Sequence, residues 1–322
     1  MNYSASLLLS LFRDDMAQAL HKLLENRVSE DEIDELGHLS VPFYEARALS
    51  ASRKLAAEAG LNLVEMATRG VEFTLVDAYM RNLREQFLGA PLLVRGGVLQ
   101  ATSQRLRCYQ EIVNTDQGEI SATFVHDFAL QNQRTREAVP FDEEQVALAD
   151  RLVTPWPEHG QPRSIDLASP IPPLALAEAR SRQLELAHPR AIEATECDET
   201  GVLLREQFSH LPYSGERVET LATQWVYETA DGQRLGMADL ESRNTLHHLP
   251  RSGDQIQTFR AEVAIARKTV QRNHWVFDIP SGALISTASL VSVALDLDRR
   301  AAVEIPPDMK RALEERFHPD LR

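Results

Sequence analysis

The hydrophobic pattern changes its period along the chain. Over residues 41–59, Tyr44, Ala48, Ala51, Leu55 and Ala59 recur at spacings of 4, 3, 4 and 4, which places them on one face of an α-helix. Ser40 fits the N-cap, Pro42 the first turn and Gly60 the stop. Alanines at 46, 48, 51, 56, 57 and 59 keep this helix slim, so a sheet can wrap closely around it. From residue 119 the period falls to two. Ile120, Ala122, Phe124 and His126 alternate with Glu119, Ser121, Thr123 and Val125, which predicts a strand. Phe259, Ala261, Val263 and Ile265 alternate in the same way. Further strands are expected near 75–87, 92–114, 235–248 and 268–279, with turn signals at "NTDQG" (114–118) and "DIPSG" (278–282). Shorter helices are expected at 142–152, 174–186, 214–225 and 306–318. The start, "MNYSASLLLSLFRDDMAQALHKLL", continues through Met16, Leu20 and Leu23 and has no basic n-region. It reads as a packed amphipathic helix, not a targeting segment.

A shift of 164 residues lays the chain on itself without a gap. "DELGHL" (34–39) meets "DETGVL" (198–203), and Gly89 meets Gly253. Gly118 meets Gly282, and Arg136-Glu137-Ala138-Val139 meets Arg300-Ala301-Ala302-Val303. Glycines mark turns and bulges, so shared glycines imply a shared chain path. Each half is then one helix followed by three long antiparallel strands, with a strand before the helix. Between the halves, "TPWPEHGQPRSIDLASPIPP" (154–173) holds six prolines; neither a helix nor a central strand suits it. The expected organisation is a first unit over 1–140 with its N-terminal helix, a proline-rich linker with short helices over 141–190, and a second unit over 191–322 with its C-terminal helix.

Charge narrows the partners. With 34 basic and 48 acidic residues the net charge is −14, which argues against nucleic acid. Two cysteines in 322 residues argue against a disulfide framework and for a cytoplasmic location. No apolar run reaches membrane-spanning length, so no membrane partner is expected.

Asp34, Gly37, His38 and Tyr44 stand at relative positions 0, 3, 4 and 10, and Asp198, Gly201, Val202 and Phe208 repeat the spacing. With the helix-then-strands order, this resembles the hotdog-fold acyl thioesterases of the 4-hydroxybenzoyl-CoA thioesterase type, over roughly 20–140 and 190–305. The resemblance implies an α+β tandem hotdog: two units, each a long helix wrapped by an antiparallel sheet, paired within one chain with sites at their interface. It implies hydrolysis of an acyl-CoA or acyl-ACP. One departure is Ser40-Val41, where many members carry asparagines.

These residue types suit the chemistry. Thioester hydrolysis needs a carboxylate to activate water or attack the carbonyl. It also needs donors for the oxyanion, which a helix N-terminus supplies. Asp34 and Asp198 are the candidate catalytic carboxylates. Gly37, His38, Tyr44, Gly201 and Val202 are the candidate oxyanion or substrate-binding positions. Glu45 reads as an exposed helix residue and second-choice carboxylate, and Tyr44 reads as core before it reads as catalytic. Cys197 beside Asp198 lacks an evident histidine partner. Arg134, Arg136, Arg299 and Arg300 read as solvated strand ends, with coenzyme A phosphates as their alternative ligand. His247-His248 are adjacent and no cluster has metal spacing, so no metal or cofactor is expected. No GxSxG, P-loop, GxGxxG or HExxH is present. A non-catalytic acyl-thioester binding protein and a hotdog hydratase or dehydratase are the alternatives. The hydratases' Asp-x-Asn-Pro-x-His pattern is missing, which favours hydrolysis. Exposed sheet edges suit further association into a homo-oligomer, a dimer of such chains.

Overall fold

The computed structural model describes residues 20–34, 37–215, 226–229 and 232–322. The chain divides into two units. The first takes the described residues up to Ala78 with Leu83–Gln161, and the second takes Tyr79–Asn82 with Pro162–Arg322.

The first unit opens on β1 (His21–Arg27), continues into helix α1 (Val41–Glu58), and then lays down β2 (Val71–Asn82), β3 (Pro91–Ala101), β4 (Leu106–Asn114) and β5 (Glu119–Asn132). The strands lie in the order β1–β3–β4–β5–β2, and β1, β3, β4 and β5 pair antiparallel in that order. α1 packs against β1, β3, β4 and β5. Tyr44, Ala48, Ala51 and Leu55 are buried, as their spacing predicts. Removing a leucine-sized side chain from water contributes roughly 1.5–3 kcal/mol, and such burial holds the helix on the sheet.

The second unit repeats the plan. The two-residue strand β6 (Ala138–Val139) pairs with β5 in the first unit; in the second, β7 (Arg190–Ala191) and the short β8 (Val226–Glu228) are followed by β9 (Arg234–Leu246), β10 (Gln255–Ile265), β11 (Thr269–Asp278) and β12 (Leu284–Asp296). The order β9–β12–β11–β10–β7 retraces that of the first unit. The backbone keeps the repeat at the positions that the sequence singled out. φ is 85° at Gly37 and 76° at Gly201, 81° at Gly89 and 90° at Gly253, 68° at Gly118 and 71° at Gly282, and 62° at Arg136 and 51° at Arg300. Each pair is left-handed in both halves, a conformation that side chains with a Cβ resist.

Three expectations change. The amphipathic helix at the start does not extend through Leu23: residues 1–19 lie outside the described residues, and His21–Arg27 is strand β1. Pairing its backbone along β3 outweighs a helical pattern of three apolar residues. The run 92–114 is two strands around a tight turn, in which Thr102 N donates to Arg105 O (2.9 Å), and in the second unit a further strand, β12, follows the turn at 278–282, so each unit carries four long strands and not three. The helix expected over 214–225 falls almost wholly outside the described residues; before it, Arg205–Tyr213 is a 3₁₀ helix. The expected helices at 142–152 and 306–318 form as Glu143–Asp150 and Pro307–Glu314. That at 174–186 forms only over Leu176–Ser181. The stretch before it packs on the second unit's sheet: Trp275 Nε1 donates to Pro172 O (2.8 Å), and Leu174 and Leu184 join a core with Phe259, Trp275 and Phe277.

Candidate active site

In both units a 3₁₀ turn delivers the motif aspartate, Glu30–Glu32 before Asp34 and Ala194–Glu196 before Asp198. The aspartate then closes a loop on the motif glycine. Asp34 N donates to His38 O (2.9 Å) and Gly37 N to Asp34 O (3.0 Å); Asp198 N donates to Val202 O (2.8 Å) and Gly201 N to Asp198 O (2.9 Å). A left-handed residue at the turn's end lets the chain double back this tightly, which accounts for Gly37 and Gly201. The first loop is further pinned to α1 by Arg47, which reaches Glu32 (2.8 Å), Asn26 (3.0 Å) and Phe43 O (2.9 Å). Burial pushes the Glu32 carboxyl up, but Arg47 and Ser29 pull it further, to below the usual range.

The two carboxylates meet different surroundings. Asp34 is partly buried, with 28% of its side chain exposed, and its Oδ2 lies 2.9 Å from His38 Nδ1. His38 N approaches its other oxygen at 3.3 Å. His38 Nε2 on the far edge of the ring lies 3.7 Å from Glu85 Oε1. Asp198 is exposed. Its Oδ1 accepts from Thr200 N (2.9 Å), Thr200 Oγ1 (2.7 Å) and Val202 N (3.0 Å). Partial burial pushes its carboxyl up, and the Thr200 hydroxyl and the Val202 and Thr200 amides outweigh this, holding it below the ordinary range.

The repeat makes the asymmetry legible residue by residue. At the 164-residue shift His38 becomes Val202, Tyr44 becomes Phe208, Glu85 becomes Leu249 and Gln86 becomes Pro250. Four polar groups around Asp34 thus become apolar or lose their donor around Asp198, while the backbone turn stays the same.

The loop after β2 meets the first motif. Leu39 N donates to Gln86 O (2.7 Å), Tyr44 Oη to Arg84 O (3.4 Å), and Asn114 Nδ2 to Gln86 Oε1 (2.7 Å). Tyr44 is therefore a buried core residue whose hydroxyl holds this loop; burial pushes its phenol up. Beside it opens a cleft of about 260 Å³ lined by Glu85, Gln86, Phe87, Leu88 and Asn114 among others. Phe87 and Leu88 are 53% and 61% exposed. α1 begins next to the motif. Ser40 makes no side-chain cap, Pro42 carries no amide hydrogen, and no acidic residue lies in the first turn.

The remaining candidates are placed as follows. Glu45 is buried, not exposed, because it shares the sheet-facing side of α1 with Leu49 and Ser52. Burial, with the nearby Glu196 and Asp198 carboxylates, pushes the Cys197 thiol up and keeps it protonated. Arg136 pairs with Glu72 (3.1 Å), and Arg299 reaches Asp296 (3.7 Å) with 79% of its side chain exposed. His247 Nε2 meets the Thr287 hydroxyl (3.1 Å). Among the described residues no three His, Cys, Asp or Glu side chains are grouped to hold a metal ion, and no helix is long and apolar enough to cross a membrane. Sequence reasoning missed Glu85 and Gln86. The signal that finds them is the same shift that found the repeat: the loop exchanges its carboxylate, Glu85, for Leu249 in the half where the motif loses its histidine.

Residues 28–150 match the family model of the thioesterase-like superfamily. No curated protein sequence matches the chain. Among solved structures, an acyl-ACP thioesterase from Bacteroides thetaiotaomicron VPI-5482 superposes with a TM-score of 0.62 at 11% identity, covering 84% of this chain and 96% of its own. The 12:0-ACP thioesterase from Umbellularia californica superposes with a TM-score of 0.63 at 9% identity, covering 88% and 97%. Topology, repeat and family model agree: the chain is a tandem hotdog protein, and its first unit matches the thioesterase-like superfamily.

Proposed function

We propose that this protein hydrolyses an acyl thioester, of coenzyme A or acyl carrier protein, to the free acid and the thiol, and that the first unit carries the chemistry. The observation that carries the reading is the 2.9 Å contact between Asp34 Oδ2 and His38 Nδ1, together with the loss of the imidazole at Val202. The superfamily match over the first unit and the names of the two similar thioesterases support it.

A carboxylate against Nδ1 fixes the neutral ring with its proton on Nδ1 and its lone pair on Nε2. Asp34 is then the member of the dyad that orients the ring and stabilises its cation, and His38 is the base that takes the proton. Water adds its oxygen to the thioester carbonyl carbon as its proton passes to Nε2. The carbon–sulfur bond then breaks, and the departing thiolate takes that proton back. In this reading the start of α1 supplies the oxyanion donor; a well-placed donor of this kind contributes roughly 3–4 kcal/mol. Asp198 keeps the loop shape of its half, with its carboxylate engaged by Thr200 and Val202.

The test is thiol release from acyl-CoAs of graded length with Asp34→Asn and Asp198→Asn. Asn keeps the shape and removes the charge. Asp34→Asn is expected to lower kcat roughly 10²–10⁴-fold, the range for removing the charge behind a catalytic imidazole. Asp198→Asn is expected to leave it within a factor of two or so. Equal activity of wild type and Asp34→Asn would defeat the dyad. Tight acyl-CoA binding without thiol release would make the protein a binding module.

A further inference from the structure

We propose that Glu85 is a positioning residue of the first unit's site, acting on thioester hydrolysis through His38. This rests on the dyad reading above and extends it to a residue that the motif does not contain.

The geometry is a carboxylate on each edge of one imidazole. Asp34 Oδ2 lies 2.9 Å from Nδ1 and Glu85 Oε1 lies 3.7 Å from Nε2. The second distance is too long for a direct hydrogen bond in the resting ring. In that state Nε2 offers a lone pair, and two acceptors have nothing to share. When Nε2 takes the proton from water, the ring becomes a cation with the carboxylate 3.7 Å from that nitrogen. Glu85 then contributes what it does not contribute before, an attraction realised as the reaction proceeds. Interactions of that kind raise kcat; interactions equal in both states do not.

Three features show that the placement is built into the fold. The loop that carries Glu85 is fixed on both sides of it: Tyr44 Oη holds Arg84 O (3.4 Å) and Leu39 N holds Gln86 O (2.7 Å). Leu39 follows His38 directly, so one backbone bond sets the distance between the two side chains. Glu85 is 41% exposed and lines the 260 Å³ cleft, so its carboxylate is open to an arriving substrate. In the second unit His38 and Glu85 are replaced together, by Val202 and Leu249, although Leu203 N still holds Pro250 O (3.1 Å). The turn is retained without the imidazole and the carboxylate. A carboxylate that served only the turn would have no reason to disappear with the imidazole.

A double-mutant cycle tests this. Glu85→Gln, His38→Val and the double variant are compared with wild type in thiol release from one acyl-CoA, with melting temperature as the control for folding. Glu85→Gln is expected to lower kcat roughly tenfold with KM little changed, and Glu85→Asp to restore part of it. In the His38→Val background the same change is expected to have no effect, because residues that act as a unit are not additive. A second readout needs no turnover: the His38 ring resonances in an NMR spectrum shift on Glu85→Gln and not on Glu119→Gln, a neighbouring carboxylate paired with Arg84. Equal effects of Glu85→Gln in both backgrounds, or unshifted ring resonances, would overturn the inference while leaving the dyad intact. Full activity of His38→Val would overturn both.

Discussion

At the scale of single residues, His126 ties stability to pH. It is fully buried between α1 and the sheet, where Nδ1 lies 3.2 Å from Ser52 Oγ. That hydroxyl also reaches Ala48 O (3.0 Å) and accepts from Gln110 Nε2 (2.8 Å). Burial pushes the imidazole down from 6.5 to about 3, against a smaller opposing pull from Asp127. The unfolded chain therefore takes up the proton first as pH falls. Stability is whole above about pH 6.5 and declines towards pH 3, by at most roughly 1.4 kcal/mol per pH unit from this residue. Denaturant titrations of wild type and His126→Asn between pH 7 and 4.5 should show a shallower slope in the variant; parallel slopes would assign the pH dependence to other groups. Residue identity in the chain announced Asp34, Gly37 and His38 because their chemistry is local, three and four positions apart. It hid His126 inside an alternating strand. It also placed Glu45 on the surface, since spacing alone does not say how far the sheet wraps around a helix.

At the scale of elements, periodicity was a good guide wherever one face is buried and the other is not. α1 is the clearest case, and Leu55 is its largest side chain with no exposed surface. Leu55→Ala should destabilise the protein by about 2–5 kcal/mol, the cost of lost burial plus the cavity that remains. Chemical denaturation checks this, with an unchanged m-value showing that the native state is otherwise kept. A loss under 1 kcal/mol would mean that the sheet collapses onto the gap. Where both faces are covered the pattern fades. β4 carries buried Cys108, Tyr109, Gln110, Glu111 and Ile112 in succession, so no alternation separated it from β3 and the two were read as one run. β1 is the strand expected before the helix, but periodicity does not mark its place: a strand at the end of a sheet is specified by its partner, and β3 begins at Pro91, 64 residues after β1 ends at Arg27.

At the scale of the whole molecule, the excess of acidic over basic residues decides how a charged substrate arrives. A net charge of −14 sets up a repulsive field for coenzyme A, which is itself polyanionic, and the field extends about 10 Å at 0.1 M salt and about 30 Å at 0.01 M. The surroundings of the first site add to it, since Glu85 and Asp116 line the cleft. Raising the salt from 10 to 150 mM should therefore raise kcat/KM for an acyl-CoA severalfold, by relieving repulsion before contact. The same acyl group on uncharged pantetheine should show almost no change, because it feels no such field. Stopped-flow or steady-state thiol release at low substrate measures both. If acyl-CoA turnover instead falls with salt, local arginines attract the phosphates more than the whole chain repels them. Arg84 is then the first to replace, because it stands next to Glu85 with 64% of its side chain exposed.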